Sequence, residues 1–128
     1  MAEYSLDKTH KLCSGRAIDR LFAEGKSQVA YPLRMVYAPS MRREGRPVQF
    51  MITIPKKRIR KAVGRVLMRR RIREAYRLNR GLIADENCRA DVAFIYIANE
   101  LTPYSLVERK MQRLLAGLPD LISKTVEK

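Results

Sequence analysis

Apolar residues recur along this chain at two different spacings, and the alternation between them outlines the fold. In RAIDRLFAEG, residues 16–25, Ile18, Leu21 and Phe22 fall three and four apart, which is one face of a helix. Ser14 is placed to cap its start and Gly25 suits its exit. The next two apolar runs, QVAYPLRMVYA (28–38) and PVQFMITI (47–54), are rich in β-branched and aromatic residues and flank the polar loop SMRREGR. They are expected to pair as antiparallel neighbours, the first broken at Pro32 into two strands or bent there by a bulge. After Pro55 and the run KKRIRK, helical spacing returns and predicts a long helix ending at Gly81. DVAFIYIA, from Asp91 to Ala98, reads as another strand. A final helix follows: Thr102 and Pro103 open it, Ser105 and Glu108 form a capping box, and Val107, Met111, Leu114, Leu115 and Leu118 make its apolar stripe. Gly117 and Pro119 are expected to end it, leaving 119–128 as a tail. The order α-β-β-(β)-α-β-α predicts one α/β sandwich domain over residues 1–128, with helices packed on a small sheet.

Charge alters this picture at one place. The chain has 128 residues and a net charge of +14, and the segment KKRIRKAVGRVLMRRRIREAYRLNR (56–80) holds twelve of the cations against a single carboxylate, Glu74. At about 100° per residue, Arg65, Arg69, Arg73, Arg77 and Arg80 share one side of the long helix, a stripe of roughly 22 Å. Met68, Ile72, Ala75 and Tyr76 share another, with Leu67 and Leu78 beside them. A charge run is ordinarily a solvated face. Such faces mix signs, however, because like charges at i,i+4 destabilise a helix by a few tenths of a kcal/mol per pair. Here arginine follows arginine, and the guanidinium fork matches phosphate in a bidentate way. The stripe points to nucleic acid.

Other chemistries find little material. The first residues lack the apolar core of a signal peptide, and no apolar run approaches the ~20 residues of a membrane span, so a cytoplasmic protein without membrane contact is expected. Cys13 and Cys88 are far apart in sequence, have no CxxC partner and come with one histidine, His10, so neither a disulfide framework nor a zinc site is suggested, and Asp85 and Glu86 read as a solvated loop pair. No phosphate-binding glycine motif and no nucleophile–base pair is evident.

The basic segment also carries a resemblance. KKRIRKAVGRVLMRRRIREAYR resembles the signature of the bacterial ribonuclease P protein component, a KK pair followed by AV-x-RN-x-x-KR-x-x-RE-x-x-R. Lys56, Lys57, Ala62, Val63, Arg65, Arg69, Arg70, Arg73, Glu74 and Arg77 stand at matching positions. RAIDRLFAEGKS, MVYA, ADVAFIYIA and LTPYSLVERKMQRLL resemble the family's opening helix, first long strand, last strand and closing helix, so nearly the whole chain is covered. Two positions depart: Val66 stands where the family usually has Asn, and Ile18 where it usually has Phe. Val66 is expected to be partly buried against its neighbours.

The resemblance implies a ribosomal-protein-like two-layer sandwich on a small mixed sheet, with a left-handed βαβ crossover. It also implies an enzyme whose chemistry resides in a catalytic RNA. That RNA, with Mg²⁺ bound mainly by itself and the substrate and none held tightly by the protein, removes the 5′ leader of precursor tRNA. No catalytic residue is then expected in the chain. Lys56, Lys57, Lys61, Arg65, Arg69, Arg70, Arg73 and Arg77 would contact RNA, while Phe22, Tyr37 and Phe50 are candidates for a leader-binding cleft. The alternative is a ribosomal-type or other nucleic-acid-binding protein without a role in cleavage; a helix-turn-helix is disfavoured because a β-rich run separates the first helix from the basic one, and DNA is not the partner the resemblance implies.

Overall fold

The computed structural model describes residues 15–39, 48–79 and 90–126. Seven elements follow in the order α1 (Gly15–Glu24), β1 (Lys26–Ala30), β2 (Leu33–Pro39), β3 (Val48–Thr53), α2 (Ala62–Asn79), β4 (Ala90–Tyr96) and α3 (Tyr104–Val126). Pro32 breaks the first apolar run as expected. The Tyr31–Pro32 bond is cis and turns β1 back onto β2, giving an antiparallel hairpin in which Ala30 faces Leu33.

The four strands form a mixed sheet in the order β1-β2-β4-β3. This corrects the expected pairing of the two early runs. β2 and β3 do run in opposite directions, but β4 lies between them, antiparallel to β2 with Val36 opposite Ala93, and parallel to β3 with Met51 opposite Ala93. The physical reason is legible in β4 itself. It is apolar at nearly every position, and all its residues but Ile95 are buried, as a strand covered on both faces requires.

Side-chain parity divides the sheet into two faces. Leu33, Met35, Tyr37, Phe50, Val92, Phe94 and Tyr96 point to one face, where Met68, Ile72, Ala75 and Tyr76 of α2 and Val107, Met111, Leu115 and Leu118 of α3 complete the main core. Its centre is aromatic: the Phe50 and Tyr76 rings stack with centroids 4.1 Å apart, and Phe94 tilts against Tyr76 at 5.8 Å. The other face carries a smaller cluster of Leu21 from α1 with Val36, Ala38 and Ala93. Gly25 makes the step from α1 into β1 possible. A Cβ there would lie 2.2 Å from the Leu21 carbonyl oxygen and 2.9 Å from a Val36 methyl.

The last helix also differs from expectation. It neither stops at Gly117 nor leaves a tail from residue 119, but runs through Pro119 to Val126. Proline in a helix interior costs about 3 kcal/mol. The apolar stripe continues past it, however, and burying Leu118 and Ile122 returns roughly 1.5–3 kcal/mol each. At the other end the Pro103 carbonyl accepts from the amides of Leu106 and Val107, and Glu108 accepts from the Tyr104 hydroxyl at 3.1 Å. The tyrosine therefore takes the carboxylate that the sequence assigned to a capping box. Ser14, Gly81, Arg80, both cysteines, His10 and the Asp85–Glu86 pair lie outside the described residues.

Candidate nucleic-acid interface

α2 forms where helix formers and a 3.6-residue apolar period coincide, and its four buried positions are the four expected ones. Packing that face on the sheet directs the arginines away from the core. Arg69, Arg70 and Arg73 are exposed, as are Lys56, Lys57 and Lys61 in and after the loop that leads into the helix. These six cations form a continuous positive surface along the loop and the outer side of α2.

Two other cations expected in this set have partners inside the protein. Arg65 is half-buried and its Nη1 donates to the carbonyl oxygens of Ile59 at 3.0 Å and Arg60 at 2.7 Å, folding the basic loop against the helix. Arg77 holds the Glu74 carboxylate through Nε at 3.1 Å and Nη2 at 2.5 Å. That hydrogen bond keeps the Glu74 carboxyl below its ordinary range, with the charges of Arg77 and Arg73 adding to it, while slight burial opposes the shift. Arg71, outside the expected set, donates to the Thr102 carbonyl at 2.6 Å and ties α2 to the start of α3. A groove of about 470 Å³ lies on the outer side of this junction, lined by Arg70, Arg71, Arg73, Glu74, Arg77 and Tyr104.

Val66 is 49% exposed, about half covered by its neighbours. The aromatic candidates divide between surface and core. Phe22 is 48% exposed on α1, whereas Tyr37 and Phe50 are buried beneath α2 and α3. A ring enclosed on both sides has no free face for a base, so both belong to the core. Of the β3 and β4 residues that point the other way, toward the α1 side, Ala93 is buried in the smaller cluster, whereas Met51, Thr53 and Ile95 are half-buried. Aromatic identity drew attention to Phe50; strand parity would have selected its neighbours 51 and 53.

The described residues contain no group of three His, Cys, Asp or Glu that could hold a metal ion, and the surface around α2 is dominated by cations. Among the described residues no helix is long and apolar enough to cross a membrane.

Comparison with known proteins places this geometry in context. Residues 6–118 match the family model described as Ribonuclease P. Ribonuclease P protein components from two strains of Porphyromonas gingivalis are each 37% identical to the chain, one over 118 residues and the other over 116, covering 89% and 88% of this chain and 86% and 85% of theirs. Among solved structures, the RNase P protein of Thermotoga maritima superposes with a TM-score of 0.68 at 23% identity, covering 83% of this chain and 94% of its own. That of Staphylococcus aureus also gives 0.68, at 15% identity, covering 83% and 92%. At these identities the two structures speak for the fold.

Proposed function

From a chain that belongs to the ribonuclease P protein family, we propose a protein subunit that binds the catalytic RNA through the loop 56–61 and the outer side of α2, and holds the 5′ leader of precursor tRNA on the α1 face of the sheet. The observation that carries this reading is the row of exposed Arg69, Arg70 and Arg73, continuous with Lys56, Lys57 and Lys61. Exposed cations gathered in this way repel one another, and a polyanion relieves that repulsion, its phosphates supplying the opposite charge with release of counterions. Phe22, with Met51, Thr53 and Ile95 on the same side of the sheet, offers the apolar ground on which an extended single strand is held. Tyr37 and Phe50 have no part in it.

The protein contributes affinity and position rather than chemistry. Mg²⁺ bound by RNA phosphates would supply the chemistry, activation of water and stabilisation of the leaving oxygen. The chain's cations lower the repulsion between two RNAs, and the sheet face orients the leader. The test is reconstitution: adding the full chain to a ribonuclease P RNA at low Mg²⁺ should restore removal of the leader from precursor tRNA. Tight RNA binding with no effect on cleavage at any Mg²⁺ concentration would instead identify a nucleic-acid-binding protein outside the processing reaction.

A further inference from the structure

A groove of about 930 Å³ lies beside the arginine row rather than on it. One wall is the basic loop and the first turn of α2; the other is the loop 97–103 between β4 and α3. Its lining is of two kinds. Lys57, Arg58, Arg60 and Lys61 bring positive charge to the rim, while Ile59, Val63, Leu67 and Leu101 supply aliphatic surface. Val63 is 81% exposed and Leu101 49% exposed. Apolar residues exposed singly are ordinary on any protein, but several converging on one concave site beside a charged rim are not.

Both walls are fixed by hydrogen bonds that do not depend on a ligand. On the β4–α3 loop, Arg58 donates to the Asn99 side chain at 3.2 Å, the buried Tyr96 hydroxyl donates to the Glu100 carbonyl, and Arg71 donates to the Thr102 carbonyl. Opposite them, Arg65 braces the carbonyls of Ile59 and Arg60. Gly64 lets the walls meet. A Cβ at that position would lie 2.8 Å from an Ile59 methyl and 3.5 Å from a Leu101 methyl. The aliphatic surface is thus held open by design of the surrounding polar contacts instead of closing on itself.

We infer that this groove receives an unstacked base of single-stranded RNA, its aliphatic lining covering the base and its cationic rim holding the flanking phosphates. A nucleotide is a ligand with an apolar face and an anion on each side, which is the arrangement the groove complements. Its volume falls within the roughly 300–1,000 Å³ of small-molecule sites, enough for a base with its sugar. The rim continues directly into the exposed cations of α2, so one strand would track from the row into the groove. Glu100 is the one carboxylate among the lining residues; it repels phosphate but accepts from an amino group on a base edge. The inference rests on the RNA-binding reading above and adds the β4–α3 loop, which that reading leaves out.

The experiment uses the full chain and two synthetic probes of equal charge, a hexaribonucleotide and its counterpart with abasic sugars, read by fluorescence anisotropy. The wild-type chain should bind the base-bearing probe more tightly. Leu101→Ser and Val63→Ser should each weaken that probe about fivefold, the value expected from removing apolar cover of this size, while leaving the abasic probe and the salt dependence unchanged. Val29→Ser, at a valine on β1 that is 61% exposed, should change neither. Equal binding of the two probes by wild type, or equal losses for both in the variants, would overturn the groove inference and leave the RNA-binding reading standing. Failure of both probes to bind would remove that reading as well. Displacement of the base-bearing probe from the wild-type groove by a leucine-containing acidic peptide would overturn the groove inference.

Discussion

Replacing Arg65 by alanine should damage the fold more than the affinity, and the structure gives the size of the effect. Its guanidinium makes two charge-assisted hydrogen bonds to the carbonyls of Ile59 and Arg60. A buried bond of this kind contributes roughly 1.5–3 kcal/mol, but this side chain is only half-buried and water replaces part of what is lost. A net cost of about 1–2 kcal/mol follows, which for a domain of this size lowers the melting temperature by roughly 4–8 °C. Lysine in its place should recover little, since one ammonium cannot span two carbonyls as the planar fork does. Arg69→Ala and Arg70→Ala should behave in the opposite way. Their side chains stand in solvent, so the melting temperature should hold, while the slope of log K for RNA against log salt should flatten by about 0.7–0.9 for each phosphate contact removed. Calorimetry and a salt titration on the three alanine variants decide the matter. If Arg65→Ala melts like wild type and flattens the slope as much as Arg69→Ala, the guanidinium faces RNA and its bonds to the loop are incidental.

The aromatic residues should separate by assay. Phe22→Ala should weaken precursor tRNA relative to mature tRNA by on the order of 1 kcal/mol with little change in melting, whereas Phe50→Ala should cost about 3–5 kcal/mol of stability because it opens the stack with Tyr76; a normal melting curve for Phe50→Ala would contradict its place in the core. Gly25→Ala should destabilise by roughly 1–3 kcal/mol in urea titration, since the new methyl would meet the Leu21 carbonyl. The Tyr104 hydroxyl is pushed up to about 12 by burial and by the Glu108 carboxylate it faces, from 10.0 when unfolded. Its contribution to stability is therefore complete below pH 10 and declines as the pH rises from about 10 toward 12, where the unfolded chain has already released the proton; ultraviolet titration of Tyr104→Phe should lose one late-titrating tyrosine, while Tyr96, also pushed up by burial, still titrates late.

The helix α2 was legible because its period is long and uninterrupted, so Met68, Ile72, Ala75 and Tyr76 could be assigned to the core from spacing alone. The break at Pro32 was legible for a local reason too: the ring restricts the chain there. What escaped depended on distant parts of the molecule. Nothing in residues 28–54 announces that a later strand will separate them. Pro119 reads as a stop until Ile122 is seen to find a place in the core. Arg65 and Arg77 look like their neighbours in sequence and differ only in what lies within reach of their guanidinium groups. Tyr37 and Phe50 were misjudged because residue type does not tell which side of a strand faces water.

The central position of β4 constrains the order in which the molecule can be assembled. β1 and β2 can close as a hairpin as soon as both have been made. β3 and α2 cannot, because their common neighbour is the last strand in the sequence. At roughly 5–20 residues per second, translation leaves an interval on the order of seconds between the completion of β3 and of β4. During that interval the nascent chain displays an unpaired strand and an arginine-rich helix whose apolar side lacks most of the core it will rest on. Arrival of residues 90–96 then pairs two strands and gives both later helices their floor in a single event, so a polypeptide halted before residue 90 would have a hairpin but no sheet on which to dock its basic helix.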